Sequence, residues 1–446
     1  MRPPSPLSDE TMPPESKDLE SDNSGTLENR PLEEWREGGN AGWACVLGSF
    51  LALFCTFGWL NALGLFQTYY EEKLLSTYSA SSISWIFTVQ LSLMFSGGVL
   101  YGRIIDTYGT NYVAIPCTIC CTLCIALLSL CTEYYQVFLA QGLGFGIGAA
   151  GLWSCSLVSV SQWFDKRRAL ALGIVAAGSS TGNFHSALTG GIVHPIYLHI
   201  LIDRSGFPAA LRWSALVVGL SGAAACLLIR TRLPTKKWDR EAKFFDTSLF
   251  KQPTFLFYSL GSFFVIWGLF APWNYLPSMS LQHGFSQNMA VYTIPILNAG
   301  SVIGRILPAY LADVWGRFNL VCTIALLTGI TLLAFWLPLE VDSNSTHAQI
   351  LAFGATYGFA SGAFISTMMP CVADLGPVNT LGQRYGVYQI VLGLSSLTGL
   401  PIAGALIPKD GGRYTYLIVF SGACVMVGST LICFSLVLRV GRKWKG

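Results

Sequence analysis

One short pattern occurs twice in this chain, each time where an apolar stretch ends. An aspartate is followed three residues later by a glycine at Asp106 and Gly109, and again at Asp313 and Gly316. The two aspartates are 207 residues apart. A pattern duplicated at the ends of apolar segments indicates two related halves, and many secondary transporters are built from such repeats with the substrate held between them. The repeat therefore favours transport over chemistry.

Hydropathy predicts how these halves are built. Only 11% of the residues are charged, compared with about 25% in ordinary soluble domains. A bilayer requires about 20 apolar residues per helix, and twelve stretches qualify. They are, roughly, residues 43–69, 83–101, 112–131, 136–160, 169–201, 211–230, 253–276, 290–312, 319–337, 348–370, 384–407 and 414–438. We therefore predict an all-α membrane protein with 12 transmembrane helices in two pseudo-symmetric six-helix halves.

Polar segments predict the domain boundaries. Residues 1–40 hold ten acidic and four basic residues and contain no apolar run, so we expect a disordered acidic tail without the features of a signal peptide. A basic connector at 231–252 separates a first half at 41–230 from a second half at 253–438. A short tail at 439–446 completes the chain.

Lys and Arg predict the orientation, because they concentrate in cytoplasmic loops. With both termini inside, 17 basic residues outside the first 40 lie on the cytoplasmic side and five on the other. We therefore expect both termini to be cytoplasmic, and the plasma membrane to be the membrane that is crossed. The sequon at Asn344 falls between spans nine and ten, on the outer side, and predicts a glycosylation site.

The remaining motifs argue against other classes. The thirteen cysteines fall in or beside apolar spans, where a thiol acts as a small hydrophobe. The glycines at 146, 148 and 151 match a dinucleotide fingerprint, but they lie inside an apolar helix rather than after a strand. The spans offer few clustered acids or histidines for catalysis. We expect no enzyme activity, no metal, no cofactor and no nucleic-acid partner.

Several longer motifs are similar to a known family. They are EGGNAGW at 37–43, GLFQTYY at 64–70, QWFDKRRALA at 162–171 and GRILP at 304–308, followed by Asp313, Gly316 and Arg317. With these motifs the chain resembles the major facilitator superfamily over residues 37–440, and within it the fungal branch of the monocarboxylate-transporter-like family. The resemblance implies alternating access around a central site, a small organic anion as substrate and a proton that could be coupled to it.

The chain departs from that family at the residues that handle the proton. In animal members, a first-span Lys, an eighth-span Asp and an Arg four residues later carry the proton and the carboxylate. The Arg is kept here as Arg305, whereas Asn61 and Ser301 stand at the other two positions. A longer fifth span near 183–189 is a further departure.

Arg305 is the leading candidate for substrate binding. It precedes Asp313 by eight residues and so lies about 12 Å inside the membrane. A charge at this depth indicates function, and a guanidinium can grip a carboxylate with two hydrogen bonds. The alternative is a structural arginine bonded to a backbone carbonyl. Further candidates for substrate contact are Asn61, Gln67, Gln90, Asn298 and Tyr357, whose alternative role is packing or hydrogen bonding between helices.

Four charged residues are candidates for a gate. Asp106 and Arg103 end the second span, and Asp313 and Arg317 lie where the eighth span ends. Ion pairs between the halves that form in one state and release in the other would provide the bistable contact of alternating access. The alternative is a solvated loop.

The sequence favours a secondary active transporter of a small organic acid or related metabolite, in contact with membrane lipid. One alternative is an exporter of a bulkier secondary metabolite, since two family positions are lost. The other is a nutrient sensor on a transporter fold that does not transport.

Overall fold

The computed structural model describes residues 37–60, 62–179, 193–234, 245–286, 289–290, 292–342 and 345–443. These residues are almost entirely helical, and they include no β-strand. The predicted acidic tail lies mostly outside this part of the chain. So do Asn61, Asn344, the residues at 183–189 and much of the predicted connector.

The described residues of the first half form ten α-helices. They are α1 (Gly39–Leu60), α2 (Leu63–Tyr69), α3 (Ala80–Ser96), α4 (Gly98–Tyr108), α5 (Asn111–Leu128), α6 (Tyr134–Val137), α7 (Gly146–Trp163), α8 (Arg168–Ala177), α9 (Val193–Ser205) and α10 (Phe207–Leu228). Two π-helical turns, Tyr70–Leu74 and Phe138–Phe145, follow α2 and α6.

The second half repeats this arrangement. Its helices are α11 (Pro253–Leu269), α12 (Ala271–Gln282), α13 (Thr293–Trp315), α14 (Arg317–Ile330), α15 (Leu337–Val341), α16 (His347–Ala373), α17 (Leu381–Lys409) and α18 (Thr415–Lys443). A π-helical segment, Thr331–Trp336, joins α14 to α15, and short 3₁₀ turns precede α11 and α17.

Eleven helical stretches of the described chain are long and apolar enough to cross a membrane. They match the predicted spans except the fifth, which corresponds to the ten-residue α8 and to α9 on either side of 180–192. We call the side of the membrane on which α1 begins the terminal face. The loops after α4, α7 and α13 lie at this face, and the other side is the opposite face.

Small residues bring the interior helices into backbone contact. The fourth span, Tyr134–Trp163, has 83% of its most apolar window buried, compared with 33% for α10. In the second half, a Cβ added at Gly358 would overlap the carbonyl of Leu297, and one at Gly304 would overlap that of Phe359. The glycines of α16 thus let α13 pack at backbone distance, as small residues do in lipid.

The seventh span is broken near its middle, and side chains satisfy the carbonyls at the break. Helix α11 ends at Leu269 and α12 begins at Ala271. The Tyr357 hydroxyl donates to the Leu269 carbonyl at 2.6 Å, and Asn274 Nδ2 donates to the Phe270 carbonyl at 2.8 Å. A backbone group without a partner is costly inside a bilayer, so such breaks persist where side chains supply the bonds.

Candidate functional site

Asp106 holds the start of a helix from the other half. It lies in the last turn of α4, and its two carboxylate oxygens accept from the backbone N–H groups of Gly382 at 3.1 Å and Gln383 at 3.0 Å. These N–H groups belong to the first turn of α17, where no internal acceptor exists. A carboxylate is favoured at that position by the helix dipole.

Asp313 makes the equivalent contact in the opposite direction. It lies in the last turn of α13, and its oxygens accept from the N–H groups of Ala169 at 3.0 Å and Leu170 at 2.8 Å. Those groups open α8, a helix of the first half. The repeated aspartates therefore cap helices reciprocally, and each cap joins the two halves at the terminal face.

A network of charges surrounds the Asp313 cap. Arg317 Nε contacts Asp313 at 3.0 Å, and Arg317 Nη1 contacts Asp374 at 2.6 Å. Arg168, in the first half, contacts the same Asp374 oxygen at 3.0 Å and Asp165 at 3.1 Å. Arg317 also donates to the Asp165 carbonyl. Asp374 therefore bridges arginines of both halves.

Sequence reasoning missed three members of this network, Arg168, Asp165 and Asp374. Arg168 lies in the QWFDKRRALA motif, and Asp374 directly follows the tenth span. An acid at the end of a span was the signal used for Asp106 and Asp313, and the same signal at Asp374 could have been recognised.

The α4–α17 contact is reinforced by glycines. A Cβ added at Gly102 would overlap the carbonyl of Gly382, and one added at Gly382 would overlap that of Gly102. Further into the membrane, a Cβ at Gly386 would lie 2.6 Å from the Gly98 carbonyl. Arg103 is buried on the same helix as Asp106. The two backbones therefore touch over several turns.

Arg305 lies at the contact between α13 and α8. Its Nη1 donates to the Ala176 carbonyl at 2.7 Å and to the Ser179 hydroxyl. Its Nε is buried and has no acceptor among the described residues. In the conformation seen, Arg305 thus bonds to a backbone carbonyl, as the structural alternative expects. Its Nε is the donor that remains unused among the described residues.

The other predicted binding residues differ in what they contact. Gln67 Nε2 donates to Glu71 at 2.9 Å. The Tyr357 hydroxyl donates to the Leu269 carbonyl at the break in the seventh span. Gln90 and Asn298 are fully buried, and in the described part of the chain neither side-chain amide has a hydrogen-bond partner. Asn61 lies outside that part. Among the described residues none of these candidates is hydrogen-bonded to another, and their role in substrate binding stays a prediction.

A small apolar cavity of about 10 Å³ lies between the halves. It is lined by Leu53, Trp153, Leu157, Leu172, Val175, Ala176, Ile365, Ser366 and Met369. This volume corresponds to about one water molecule, so the halves are nearly closed here. Trp153 Nε1 is buried and has no acceptor in the described residues. Phe57 flanks this indole with ring centroids 4.7 Å apart.

Hydrogen bonds that join the halves run from the membrane interior to the terminal face. The Ser92 hydroxyl donates to the Gly393 carbonyl at 2.9 Å, about 21 Å along the helix from Asp106. Ser154 donates to Gln389 at 3.3 Å, closer to that face. Together with the two aspartate caps, these bonds join the halves from the terminal face into the membrane interior.

Comparisons with known proteins agree with this architecture. A sequence profile of the Major Facilitator Superfamily matches residues 45–344 and 299–445. The structure of a bacterial homologue of the iron transporter ferroportin, in an outward-facing state, superimposes with a TM-score of 0.68 at 15% identity over 89% of this chain and 99% of that one. It supports the twelve-helix fold in two halves.

Several fungal proteins are similar over most of their length. The MFS-type transporter hasB of Aspergillus fumigatus is 40% identical and covers 95% of each chain. The fujikurins efflux protein of Gibberella fujikuroi is 37% identical over 91% of this chain and 85% of its own. The aspyridones efflux protein apdF of Emericella nidulans is 35% identical over 93% of this chain and 81% of its own.

Proposed function

The chain belongs to the Major Facilitator Superfamily, and on that premise we propose that it exports a bulky, largely apolar secondary metabolite by alternating access. The observation that carries this proposal is the 37% and 35% identity to two proteins named for efflux, each over more than nine tenths of this chain. This replaces the small organic acid favoured by the sequence with the alternative of a metabolite exporter.

The surfaces that meet between the halves support this choice. The cavity there is lined by aliphatic and aromatic side chains, with Ser366 as the one hydroxyl. Binding sites for drug-sized compounds are mostly apolar, with a few polar groups that set orientation. When the halves separate, Trp153 and Arg305 can supply those groups through the donors left without partners, Trp153 Nε1 and Arg305 Nε.

The aspartate caps account for the switching. We take the terminal face as cytoplasmic, because 17 basic residues favour that side. In the conformation described here the cytoplasmic side is closed by Asp106 and Asp313. Opening this side breaks both caps and the Arg168–Asp374 bridge. The rate at which a metabolite enters from the cytoplasm then depends on how readily these bonds break and form again.

Counterflow in proteoliposomes tests the function. Purified protein is reconstituted in vesicles loaded with one unlabelled compound, and uptake of its labelled form is measured. The panel runs from lactate and pyruvate to large apolar metabolites with and without an acidic group, while internal pH is recorded. We expect exchange of the large compounds only. Rapid exchange of lactate or pyruvate would return the assignment to a small-acid transporter.

A matched pair of variants tests whether Arg305 binds an acidic group of the substrate. Arg305→Lys keeps the charge but lacks the planar fork that makes two parallel hydrogen bonds to a carboxylate, whereas Arg305→Gln removes the charge. We expect Arg305→Gln to lower exchange of acidic compounds about tenfold, equivalent to one charge-assisted bond, and Arg305→Lys to retain part of it. Equal losses for acidic and neutral compounds would assign Arg305 a structural role only.

A further inference from the structure

Helix α12, the outer part of the seventh span, packs against its own half. It runs from the break at Phe270 to the opposite face. Trp336 Nε1 donates to Met279 Sδ at 2.9 Å, and Gln282 Nε2 donates to the Gly412 carbonyl at 3.1 Å. Both partners belong to the second half. Helix α12 is therefore bonded to its own half near the opposite face, far from the aspartate caps.

A titratable contact fixes the end of α12. Directly after this helix, His283 Nε2 lies 3.2 Å from Glu340 Oε2, and Glu340 Oε1 accepts from the backbone N–H of Tyr414 at 2.8 Å. The Glu340 side chain is 4% exposed and that of His283 is 14% exposed. One carboxylate thus ties α12 to the start of α18. We name His283, Glu340 and the Tyr414 N–H the outer latch.

We propose that the outer latch is a pH-sensitive hold on α12. A proton taken from the medium at the opposite face converts the His283–Glu340 contact into a charge-assisted hydrogen bond, which is stronger than a neutral one. The bond keeps α12 against the second half, which favours the outward-open state of the transport cycle. Without that proton the contact weakens, and α12 can turn about the break towards the first half.

His283 and Glu340 are the ionisable pair of this contact. The other titratable side chains on the elements at this end are Tyr275, Tyr292, Asp342, His347, Lys409, Asp410, Arg413, Tyr414 and Tyr416. Of the residue types present, only histidine ordinarily changes charge between pH 5 and 8. The second histidine, His347, packs on Phe285 with ring centroids 4.2 Å apart rather than on an acid. His347 therefore provides a matched control.

The position of the latch distinguishes regulation from proton coupling. His283 follows the seventh span and Glu340 ends the ninth, so both lie at the opposite face. A proton bound there returns to the same side of the membrane whichever way the cleft opens. The latch therefore sets how long the outward-open state lasts, and it does not drive transport.

Distances between probes test the movement without any substrate. Noncanonical amino acids carry a donor and an acceptor at the exposed positions Thr77, in the first half, and Leu281, on α12. A second pair joins Thr77 to Ala348, near the start of α16. Its distance reports rotation of the whole second half. We expect only the Thr77–Leu281 distance to shorten as the pH rises from 5 to 8. A change in both distances, or in neither, would overturn the proposal.

Variants assign the response to His283. His283→Gln should remove the pH response, His283→Lys should hold the long distance at every pH, and His347→Gln should leave the wild-type response. A response that persists in His283→Gln contradicts the latch. Because this readout needs no substrate, failure of the proposed export would leave it interpretable, although the link from the latch to export rests on the proposed function.

Transport gives the second readout. If the outward-open state limits the cycle, the ratio of exchange rates at pH 5 and pH 8 should differ from unity by about threefold to tenfold, the range for replacing a charge-assisted bond by a neutral one. The same ratio should approach unity in His283→Lys. A ratio unchanged by that substitution would show that the latch does not act on the cycle.

Discussion

Two contacts seal the cleft at the terminal face, and they use the same cap with different reinforcement. At the α4–α17 contact, Asp106 caps α17 while glycine backbones touch on both sides. At the α13–α8 contact, Asp313 caps α8 within a network of arginines and aspartates. The residue four positions after the aspartate is Thr110 in the first case and Arg317 in the second. The cap is thus the shared element, while its support differs between the halves.

The difference has a physical consequence. Close backbone packing depends on shape, and one methyl group in the wrong place prevents it. A charge network instead tolerates small displacements, but it loses much when one partner leaves the other charges uncompensated. We therefore expect the first contact to be sensitive to volume and the second to be sensitive to charge.

The largest effect is expected from added volume at the α4–α17 contact. Gly382→Ala places a methyl group against the Gly102 carbonyl and the Asp106 carboxylate, so the terminal face cannot close. We expect exchange to fall more than about tenfold, the result of overpacking by 1–3 kcal/mol. Counterflow at equal reconstituted amounts measures it. Gly441→Ala, where a Cβ meets nothing within 4 Å, is the control and should retain full activity.

A smaller effect is expected from charge removal at the α13–α8 contact. Asp313→Asn leaves Arg317 without one of its two acidic partners. We expect exchange to fall about fivefold, and Arg317→Gln in the same chain to restore part of it by removing the excess charge. A double-mutant cycle measures the coupling. The equivalent pair, Asp106→Asn with Thr110→Ser, should be additive; strong coupling there would contradict the contrast between the contacts.

A weaker effect on exchange is expected when the charge of Arg317 is kept and only its hydrogen-bonding geometry is changed. Arg317→Lys keeps the charge, but a lysine cannot hold Asp313 and Asp374 at once in the fixed fork of a guanidinium. We expect about a twofold to threefold loss in exchange, the result of about 0.5 kcal/mol. Arg413→Lys, at an exposed position of the opposite face, should change nothing. A loss as large as that of Asp313→Asn would mean that charge alone does not explain the network.

The smallest effect is expected from a single neutral bond beside the first contact. The Ser161 and Tyr385 hydroxyls are 2.8 Å apart and join α7 to α17. Ser161→Ala should shift the balance between open and closed states by no more than about 0.5 kcal/mol, the lower end of the net contribution of a neutral hydrogen bond, which donor–acceptor distances across the terminal face can resolve. Ser156→Ala removes a hydroxyl that bonds within its own helix, and it should leave the balance unchanged.

Some of these features were predictable because they are local. A run of about 20 apolar residues identifies a span whatever surrounds it. The Asp106 and Asp313 repeat identifies both residues as candidates for ion pairs between the halves, and in the structure both accept backbone N–H groups of the other half. The ion pairs of Arg317 lie within its own half, so a gate made of ion pairs at these residues stays a prediction.

Other features depended on which helices meet. Tyr357 is predicted as a substrate contact, and in the structure its hydroxyl bonds to the Leu269 carbonyl. Pro272 in the sequence marks the break in the seventh span, but it does not reveal which side chain bonds the carbonyl there. Arg305 donates to the Ala176 carbonyl, and the two residues are 129 positions apart. Hydropathy carries no information about such a distance.

The sequence by itself determined the membrane class, the spans, the duplication and the superfamily, because each rests on residue types at short spacing. Only the tertiary structure decided that each aspartate caps a helix of the other half, that Asp374 bridges two arginines, and that His283 meets Glu340. Those contacts join segments tens to hundreds of residues apart, and they form only when helices distant in the sequence pack together. The physical reason is that apolar burial in lipid fixes where a helix runs, whereas polar contacts fix which helices meet and in which state.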